Sequence, residues 1–227
     1  MAPVRLGLIG CGAIAQVHHL PNLAVLQEEF DVTVACDLSP TLARTIAGKF
    51  HIPDHTSDYR EVLAADVEAV LLCHSDPKTE VAIAAFEAGK HVFIEKPVCF
   101  SLPEADAILA ANREAHKVGQ AGYMKVYDPA FELAQRQVQS MDLIHFVQVN
   151  HLHPDNALHL RHFHLERFDD IPESAGAARQ EARREARLQA VGEVPAAVES
   201  AFFTLAGSMI HDLYGLRTML GQPDAVI

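Results

Sequence analysis

Basic residues are scarce in this sequence: 18 Lys and Arg stand against 30 Asp and Glu, which gives a formal net charge of -12. This surplus of negative charge disfavours binding to nucleic acid or to an anionic membrane surface. No apolar run approaches the roughly 18 residues that a membrane-spanning helix needs. The N-terminal MAPVRLGLIG enters a strand-like run at once, without the charged and hydrophobic regions of a signal peptide. The sequence therefore predicts no nucleic-acid partner and no membrane partner.

Cysteines are few and widely separated. Cys11, Cys36, Cys73 and Cys99 form no CxxC pair, and all four lie in or beside apolar, strand-like runs. Such positions are typical of buried, reduced thiols and predict a cytoplasmic protein. Hydrophobic residues make up 49% of the 227 residues and charged residues 21%, which is ordinary for a globular protein of one large or two small domains.

The first half of the chain alternates predicted strands and helices. Strands are predicted at 4–10, 32–37, 67–73, 91–95 and 118–124. The first helix is predicted to run from the end of the first strand to about Leu26. The later helices carry end signals: Ser39-Pro40 starts the second helix, Asp76-Pro77 starts the third and Gly89 ends it, and the capping box SLPE at 101–104 starts the fourth. Repeated strand–helix–strand units predict an α/β domain at 1–123, with a doubly wound parallel sheet.

The loop after the first predicted strand reads GCGAIA and fits the pattern G-x-G-x-x-G/A. In this pattern Gly10 permits a tight turn, Gly12 lets a pyrophosphate approach the backbone, and Ala15 lets the helix pack near the strand. Ala13 and Ile14 complete the loop at a helix N-terminus, whose N–H groups favour phosphate. The strand–loop–helix context predicts a Rossmann dinucleotide-binding domain; a glycine-rich turn without a ligand is the alternative.

An acidic residue, Asp37, stands at the end of the second predicted strand. It follows Gly12 by 25 residues, close to the spacing of about 20 at which an acidic side chain binds the adenosine ribose. A carboxylate there repels a 2′-phosphate, so the sequence predicts NAD rather than NADP. The alternative is a turn residue before Ser39-Pro40.

Charged residues also end the apolar run in HVFIEKPVCF, residues 91–100. Glu95 and Lys96 follow Val92-Phe93-Ile94 directly, and Pro97 stops the strand. Charged side chains are rarely buried without a partner. Ligands of open α/β sheets bind beyond the carboxyl ends of the strands. Lys96 is therefore a candidate site residue, with an ion pair to a carboxylate as the alternative.

Three segments, GLIGCGAIAQVHH, AFEAGKHVFIEKPVCFSLPEA and GYMKVYDPAF, resemble the glucose–fructose oxidoreductase/inositol dehydrogenase/rhizopine catabolism (Gfo/Idh/MocA) family. The Glu-Lys-Pro sequence is the most diagnostic signature of that family. The resemblance implies a nucleotide-binding domain followed by an α+β domain with an open-faced sheet. It also implies hydride transfer between a nicotinamide cofactor and a sugar, a polyol or a related compound. A non-catalytic regulatory or scaffold protein is the alternative, because some relatives act as binding proteins.

The resemblance also implies roles for individual residues. Lys96 would hydrogen-bond the substrate oxygen and stabilise its developing negative charge. His211 would move the proton, although a helix histidine bound by a neighbour is the alternative. The family commonly carries an aspartate one turn before this histidine, where this chain has Gly207. Asp212 lies about 100° around the helix from His211 and cannot simply replace that aspartate.

Further cofactor contacts are implied after the third and fourth predicted strands. Cys73 and His74 stand where family members often carry Thr-Pro, and Lys78 stands where a histidine is usual. Glu95 and Lys96 complete the set of predicted cofactor-binding residues.

The second half, 124–227, is expected to begin a substrate-binding sheet domain that is incomplete. A strand is predicted at 142–153, an Ala/Arg/Glu-rich helix at 175–190 and an amphipathic helix at 199–221. The sequence ends where the next strand should begin. A fragment, a sheet supplied elsewhere and a reduced form of the fold all remain open. A homo-oligomer is expected if the sheet domain is complete.

Several histidines and two further residues are candidates for a polar cleft that binds a sugar-like substrate. His151-x-His153 and His162-x-His164 could also pair their imidazoles, but no Cys or Glu accompanies them at zinc-binding spacing, so no metal is expected. Tyr123 and Asp128 follow the last strand of the first domain and are weaker candidates for substrate binding. A core position is the alternative for Tyr123.

Overall fold

The structure is a computed structural model that describes residues 2–75, 77–152 and 155–225. Six strands form one sheet in which every neighbouring pair is parallel. Their order across the sheet is β3-β2-β1-β4-β5-β6. The strands are β1 (Val4–Ile9), β2 (Phe30–Cys36), β3 (Asp54–Thr56), β4 (Ala69–Leu72), β5 (His91–Ile94) and β6 (Gly119–Ala121).

Helices connect these strands and cover both faces of the sheet. A π-helix, Ala15–His19, leads directly into the first α-helix. The α-helices of this half are α1 (Leu20–Val25), α2 (Pro40–Phe50), α3 (Tyr59–Ala64), α4 (Thr79–Glu87) and α5 (Leu102–Ala115). The core has two parts because alternate strand residues point to opposite faces. Val70 and Leu72 of β4 pack in one cluster with Phe86, and Leu71 packs in the other with Ile46. The predicted doubly wound parallel sheet is confirmed.

The sequence signals for helix ends agree with the structure at two helices. Ser39 Oγ accepts a hydrogen bond from the Leu42 N–H at the start of α2. Ser101 Oγ accepts one from the Glu104 N–H at the start of α5, as a capping box requires. Helix α4 begins at Thr79, later than the predicted start at Asp76-Pro77, of which Asp76 lies outside the described residues.

Two elements of this half were not predicted, namely β3 and α3. Strand β3 has three residues, Asp-His-Thr, which pair with the end of β2. Such a strand is too short and too polar to show an alternating pattern, so only its neighbour reveals it.

The second half of the described chain is helical. After a short 3₁₀ helix, Met124–Tyr127, come α6 (Pro129–Gln139), α7 (Asn156–Leu160), α8 (Glu173–Val191) and α9 (Ala196–Thr204). A π-helix, Leu205–Met209, joins α9 to α10, Ile210–Leu220. The two predicted helices are confirmed. No helix among the described residues is long and apolar enough to cross a membrane.

The predicted strand at 142–153 is wrong over its described part. Residues 142–152 form neither strand nor helix, and His153 lies outside the described residues. Leu143 and Phe146 are 69% and 79% exposed. A strand needs a neighbour for its backbone N–H and C=O groups, and all six strands of the described chain belong to the N-terminal sheet. Residues 142–152 alternate polar and apolar side chains but form no strand, because no neighbouring strand of the described chain pairs with them. The division into domains at 123/124 stays a prediction.

Candidate active site

The site is built around the contact between the end of β1 and the loop after β4. Gly10 has φ +99°, and a Cβ atom added to it would lie 2.2 Å from the backbone nitrogen of His74. Its N–H donates to the Cys36 carbonyl at 2.7 Å, while the His74 N–H donates to the Ile9 carbonyl at 3.0 Å. Gly12 differs, because a Cβ added there would meet nothing within 4 Å. The loop is therefore closed against the sheet at Gly10 and open at Gly12.

Asp37 ties this loop to the end of β2. Its Oδ2 accepts a hydrogen bond from the Cys11 N–H, and its Oδ1 accepts one from the Ser39 N–H, both at 2.9 Å. Burial, and then the charge of Asp37, raises the pKa of the Cys11 thiol well above its usual range, and the same two causes raise the pKa of Cys36 to about 12. The carboxylate thus stands in a fixed position beside two neutral thiols.

A cavity of about 840 Å³ opens above the carboxyl ends of the strands. This volume lies within the usual range for small-molecule sites, roughly 300 to 1,000 Å³. All the predicted cofactor-binding residues except Ala15 line it, namely Gly10, Gly12, Ala13, Ile14, Asp37, Cys73, His74, Glu95 and Lys96. Ala15 is fully buried beneath the loop, where a small side chain lets the helix pack closely. The open space at Gly12 and the size of the cavity suit a dinucleotide.

The charged residues after β5 lie at one end of this cavity. Glu95 is 8% exposed; its Oε1 contacts His19 Nε2 at 2.7 Å, and its Oε2 accepts the Lys96 N–H at 3.0 Å. Lys96 Nζ donates to the Gly207 carbonyl at 2.9 Å, which joins the strand end to the π-helix before α10. His19 was not predicted as a site residue, although it is the last residue of the GLIGCGAIAQVHH segment.

A buried lysine near this end was also not predicted as a positioning residue. Lys78, which is 3% exposed, lines the cavity, and its Nζ donates to the Pro97 carbonyl at 3.1 Å. The bond holds the Glu-Lys-Pro segment from the side of α4. The sequence signal was a lysine at the position where the family resemblance implies a histidine.

His211 lies close to Lys96 and is held by a tyrosine. Its Nδ1 is 2.7 Å from Tyr214 Oη, which also accepts the Lys125 N–H at 3.2 Å. Burial, followed by the positive charges of Lys96 and Lys125, lowers the pKa of His211 to about 4. The imidazole is therefore neutral at neutral pH.

The two weaker candidates for substrate binding have different environments. The Tyr123 ring stacks on Tyr214 with centroids 4.5 Å apart, so it belongs to the group around His211. Asp128 is exposed and caps α6, with its Oδ1 accepting the Ala130 N–H at 2.7 Å. It does not line the cavity, and its position favours a structural role.

A chain of hydrogen bonds next to Gly207 was not visible in the sequence. His151 Nδ1 lies 2.5 Å from Asp212 Oδ2, and His151 Nε2 lies 2.8 Å from Ser208 Oγ. A carboxylate only accepts, so Nδ1 donates to Asp212, and Nε2 shares a hydrogen bond with the Ser208 hydroxyl. Asp212 therefore holds a different histidine from its neighbour in sequence. No spacing pattern links these residues, because His151 and Asp212 are 61 positions apart.

The other predicted histidine pair is not organised around a metal. His164 is largely exposed, with Nε2 3.3 Å from Glu166 Oε1. No group of three or more His, Cys, Asp or Glu side chains within the described ranges is placed to hold a metal ion.

Substitution of the two loop glycines is expected to affect stability to different extents. Gly10→Ala should lower the free energy of unfolding by about 2 kcal/mol or more, because φ is positive and the methyl group meets the His74 backbone. Gly12→Ala is the matched control and should stay within about 0.5 kcal/mol of the parent, since the space is open. Urea unfolding measures both. Equal stability of the two variants would contradict the closed contact at Gly10.

The low pKa of His211 predicts a specific dependence of stability on pH. The unfolded chain takes up a proton near the ordinary pKa of 6.5, whereas the folded chain takes it up only near 4. Stability should therefore fall as the pH is lowered between these values, by less than about 1 kcal/mol per pH unit because the ring is partly exposed. Urea unfolding of His211→Gln should show a smaller loss than the parent, and His162→Gln, an exposed control, the same loss. An unchanged loss in His211→Gln would refute the shift.

Comparison with known proteins identifies the family. Residues 4–123, more than half of the chain, match the model of an oxidoreductase family with an NAD-binding Rossmann fold, GFO_IDH_MocA. The chain is 34% identical over 146 residues to an inositol 2-dehydrogenase/D-chiro-inositol 3-dehydrogenase of Shouchella clausii, a match that covers 62% of this chain and 41% of that protein.

Two solved structures are also similar. KijD10, a 3-ketoreductase from Actinomadura kijaniata in complex with NADP and TDP-benzene, superposes with a TM-score of 0.57 at 27% identity, covering 60% of this chain and 42% of that one. WlbA dehydrogenase from Chromobacterium violaceum, in complex with NADH and UDP-GlcNAcA, shares the fold, with a TM-score of 0.58 at 23% identity over 61% and 40% of the two chains. The match spans less than half the length of these relatives. The chain belongs to the GFO_IDH_MocA oxidoreductase family.

Proposed function

We propose that this chain carries the cofactor site and part of the catalytic site of an oxidoreductase acting on the CH–OH or carbonyl group of a sugar or polyol. The observation that carries the proposal is the position of Lys96. Its side chain lines the same cavity as the glycine-rich loop and lies close enough to His211 to lower the pKa of that histidine. The names of relatives, which include inositol 2-dehydrogenases, support a polyol or sugar as the substrate class.

Lys96 is suited to bind the reacting oxygen. Bound in the cavity, a nicotinamide cofactor would supply or accept the hydride. The Lys96 ammonium would then donate to the substrate oxygen and stabilise the negative charge that develops on it. The hydrogen bond from Lys96 Nζ to the Gly207 carbonyl orients the ammonium. The bond of Lys78 to the Pro97 carbonyl limits the movement of this segment, so the ammonium is positioned before substrate arrives.

His211 is suited to exchange the proton of the substrate hydroxyl. Its Nδ1 is bound to Tyr214, which leaves Nε2 available to bind a substrate hydroxyl. A neutral imidazole accepts a proton during oxidation. Burial and the nearby positive charges of Lys96 and Lys125 disfavour the charged form of the imidazole. A proton accepted from the substrate would therefore leave the ring readily. The Ser208–His151–Asp212 chain, which begins one residue from the Gly207 carbonyl, offers a second set of exchangeable protons.

We propose NAD as the preferred cofactor. The Asp37 carboxylate lines the cavity and is fixed by two backbone N–H groups. In that position it would accept hydrogen bonds from an adenosine ribose and would repel a 2′-phosphate. Relatives bind either cofactor: KijD10 was solved with NADP and WlbA with NADH.

A non-catalytic nucleotide-binding protein is the second candidate, and one observation favours it. The residue four positions before His211 is Gly207, so no carboxylate orients the imidazole from that position. The Lys96 ammonium also bonds the carbonyl of that glycine, and this bond would compete with a substrate oxygen. A regulatory protein of this kind would bind the dinucleotide without turnover.

Replacement of Lys96 distinguishes the two candidates. The parent chain is first titrated with NADH, followed by fluorescence, and screened for oxidation of inositols and hexoses with NAD. Lys96→Ala should lower kcat by about 100- to 1,000-fold, because a donor to the developing oxyanion is lost, while the Kd for NADH stays within about threefold of the parent. Lys117→Ala, which removes a lysine outside the cavity, is the control.

The outcomes of this experiment separate clearly. An unchanged kcat in Lys96→Ala would refute the catalytic assignment. Tight NADH binding without turnover of any tested sugar or polyol would favour the binding protein. Loss of NADH binding in the parent would refute both candidates.

The role of Asp37 predicts the cofactor preference and its reversal. The parent chain should bind NADH at least about tenfold more tightly than NADPH, because like charges brought together cost several kcal/mol. Asp37→Asn removes the charge and keeps one acceptor oxygen, so the ratio of the two dissociation constants should shrink to about threefold or less. Parallel titrations with NADH and NADPH measure it. Equal affinities in the parent would rule out the role, and Asp31→Asn on the far end of β2 is the control.

A further inference from the structure

Helix α8 forms one wall of the nucleotide cavity, although it lies far from the Rossmann domain in sequence. Four of its residues, Ala175, Ala178, Arg179 and Ala182, line the cavity together with the glycine-rich loop. Their spacing of three, four and seven positions places them on one face of the helix. Three of the four are alanines, so this face takes little space and carries a single charged side chain.

The segment that carries α8 is tied to the Rossmann domain before the helix begins. Gln16, which is 8% exposed, makes two reciprocal bonds with the backbone of Glu166: its Nε2 donates to the carbonyl at 3.1 Å, and its Oε1 accepts the N–H at 2.9 Å. The Asp170 carboxylate accepts from the Ser39 hydroxyl and from the Thr41 N–H. These bonds place the start of α8 beside the N-terminus of α2, next to Asp37.

The other end of α8 is also fixed. Ala186 is buried, and Arg187 forms an ion pair with Glu199 at 2.9 Å, which joins α8 to α9. Pro77 and Phe100 line a neighbouring cavity with this end of the helix, and they follow β4 and β5. The helix therefore crosses above the carboxyl ends of the strands, from the β2 side to the β5 side, which is the path of a dinucleotide in such a sheet.

Arg179 differs from the two arginines of this helix that form ion pairs. Arg184 bonds Glu181 and Arg187 bonds Glu199, whereas the Arg179 side chain has no hydrogen bond or ion pair within the described part of the chain. It is nevertheless partly buried and lines the cavity. A guanidinium in such a position is suited to bidentate binding of a phosphate.

We propose that α8 is the roof of the nucleotide cavity and that Arg179 binds the diphosphate of the dinucleotide from the side opposite Gly12. The inference rests on the proposed function in taking a nicotinamide dinucleotide as the ligand. The diphosphate is then held between the N–H groups of the loop and the guanidinium of the roof. The two partners belong to segments more than 160 positions apart, so the bound cofactor adds a further link between α8 and the Rossmann domain.

Titrations with three ligands test this role. NADH and ADP-ribose both carry the diphosphate, and adenosine lacks it. Arg179→Gln should weaken NADH and ADP-ribose by about tenfold or more, with a smaller dependence of affinity on salt, and should leave adenosine unchanged. Arg179→Lys should recover part of the loss. Arg183→Gln, which removes an exposed arginine one turn later on α8, should bind all three ligands like the parent.

The possible failures are distinguishable. If the parent binds NADH and Arg179→Gln binds it equally well, the role of Arg179 is wrong and the proposed function stands. Equal weakening of adenosine and ADP-ribose by Arg179→Gln would also overturn the role, because the diphosphate would not be what Arg179 binds. A parent chain that binds neither NADH nor ADP-ribose would overturn both the role and the proposed function.

Discussion

The close contact between Gly10 and the backbone of His74 is the constraint on which the site depends. Strand β1 lies at the centre of the sheet, with β2 on one side and β4 on the other, so the chain leaves its end at the point where the order of the strands reverses. Only a residue without a Cβ atom allows this end to lie against the loop after β4. The loop is packed against the backbone of His74 at Gly10, whereas the space beside Gly12 is open to the cavity.

The polar groups around the cavity are held by one another, which gives the site a defined shape before any ligand binds. Asp37 joins the glycine-rich loop to the end of β2, and Glu95 joins the end of β5 to His19 on the helix after that loop. Each carboxylate accepts a backbone N–H and a second hydrogen bond, so neither is buried without partners. A site organised in this way needs little rearrangement to bind a ligand, and this lowers the cost of binding.

The sequence was sufficient to predict five of the six strands and most of the named residues that line the cavity, because their signals are local. Apolar runs mark the central strands, Ser39 and Ser101 mark helix starts, and the GCGAIA loop follows directly from β1. The missed or wrong parts depend on partners far away in sequence. Strand β3 is defined only by its pairing with β2, and α8 reaches the cavity through the bond between Gln16 and Glu166, 150 positions apart. Residues 142–152 show the converse case, in which a strand-like pattern has no neighbouring strand.

Glycine at position 207 affects which charges act on His211. A carboxylate at that position would face His211 one turn away and would raise its pKa. With glycine there, burial and then the positive charges of Lys96 and Lys125 outweigh the negative charges of Asp212 and Glu95 and lower the pKa of the histidine. The glycine carbonyl instead accepts from Lys96, while Asp212 binds His151. Asp212 lies about 100° around the helix from His211, so its carboxylate does not occupy the position one turn before that histidine. In the proposed reaction, the proton would be exchanged by a neutral His211 or by the chain through Ser208 and His151.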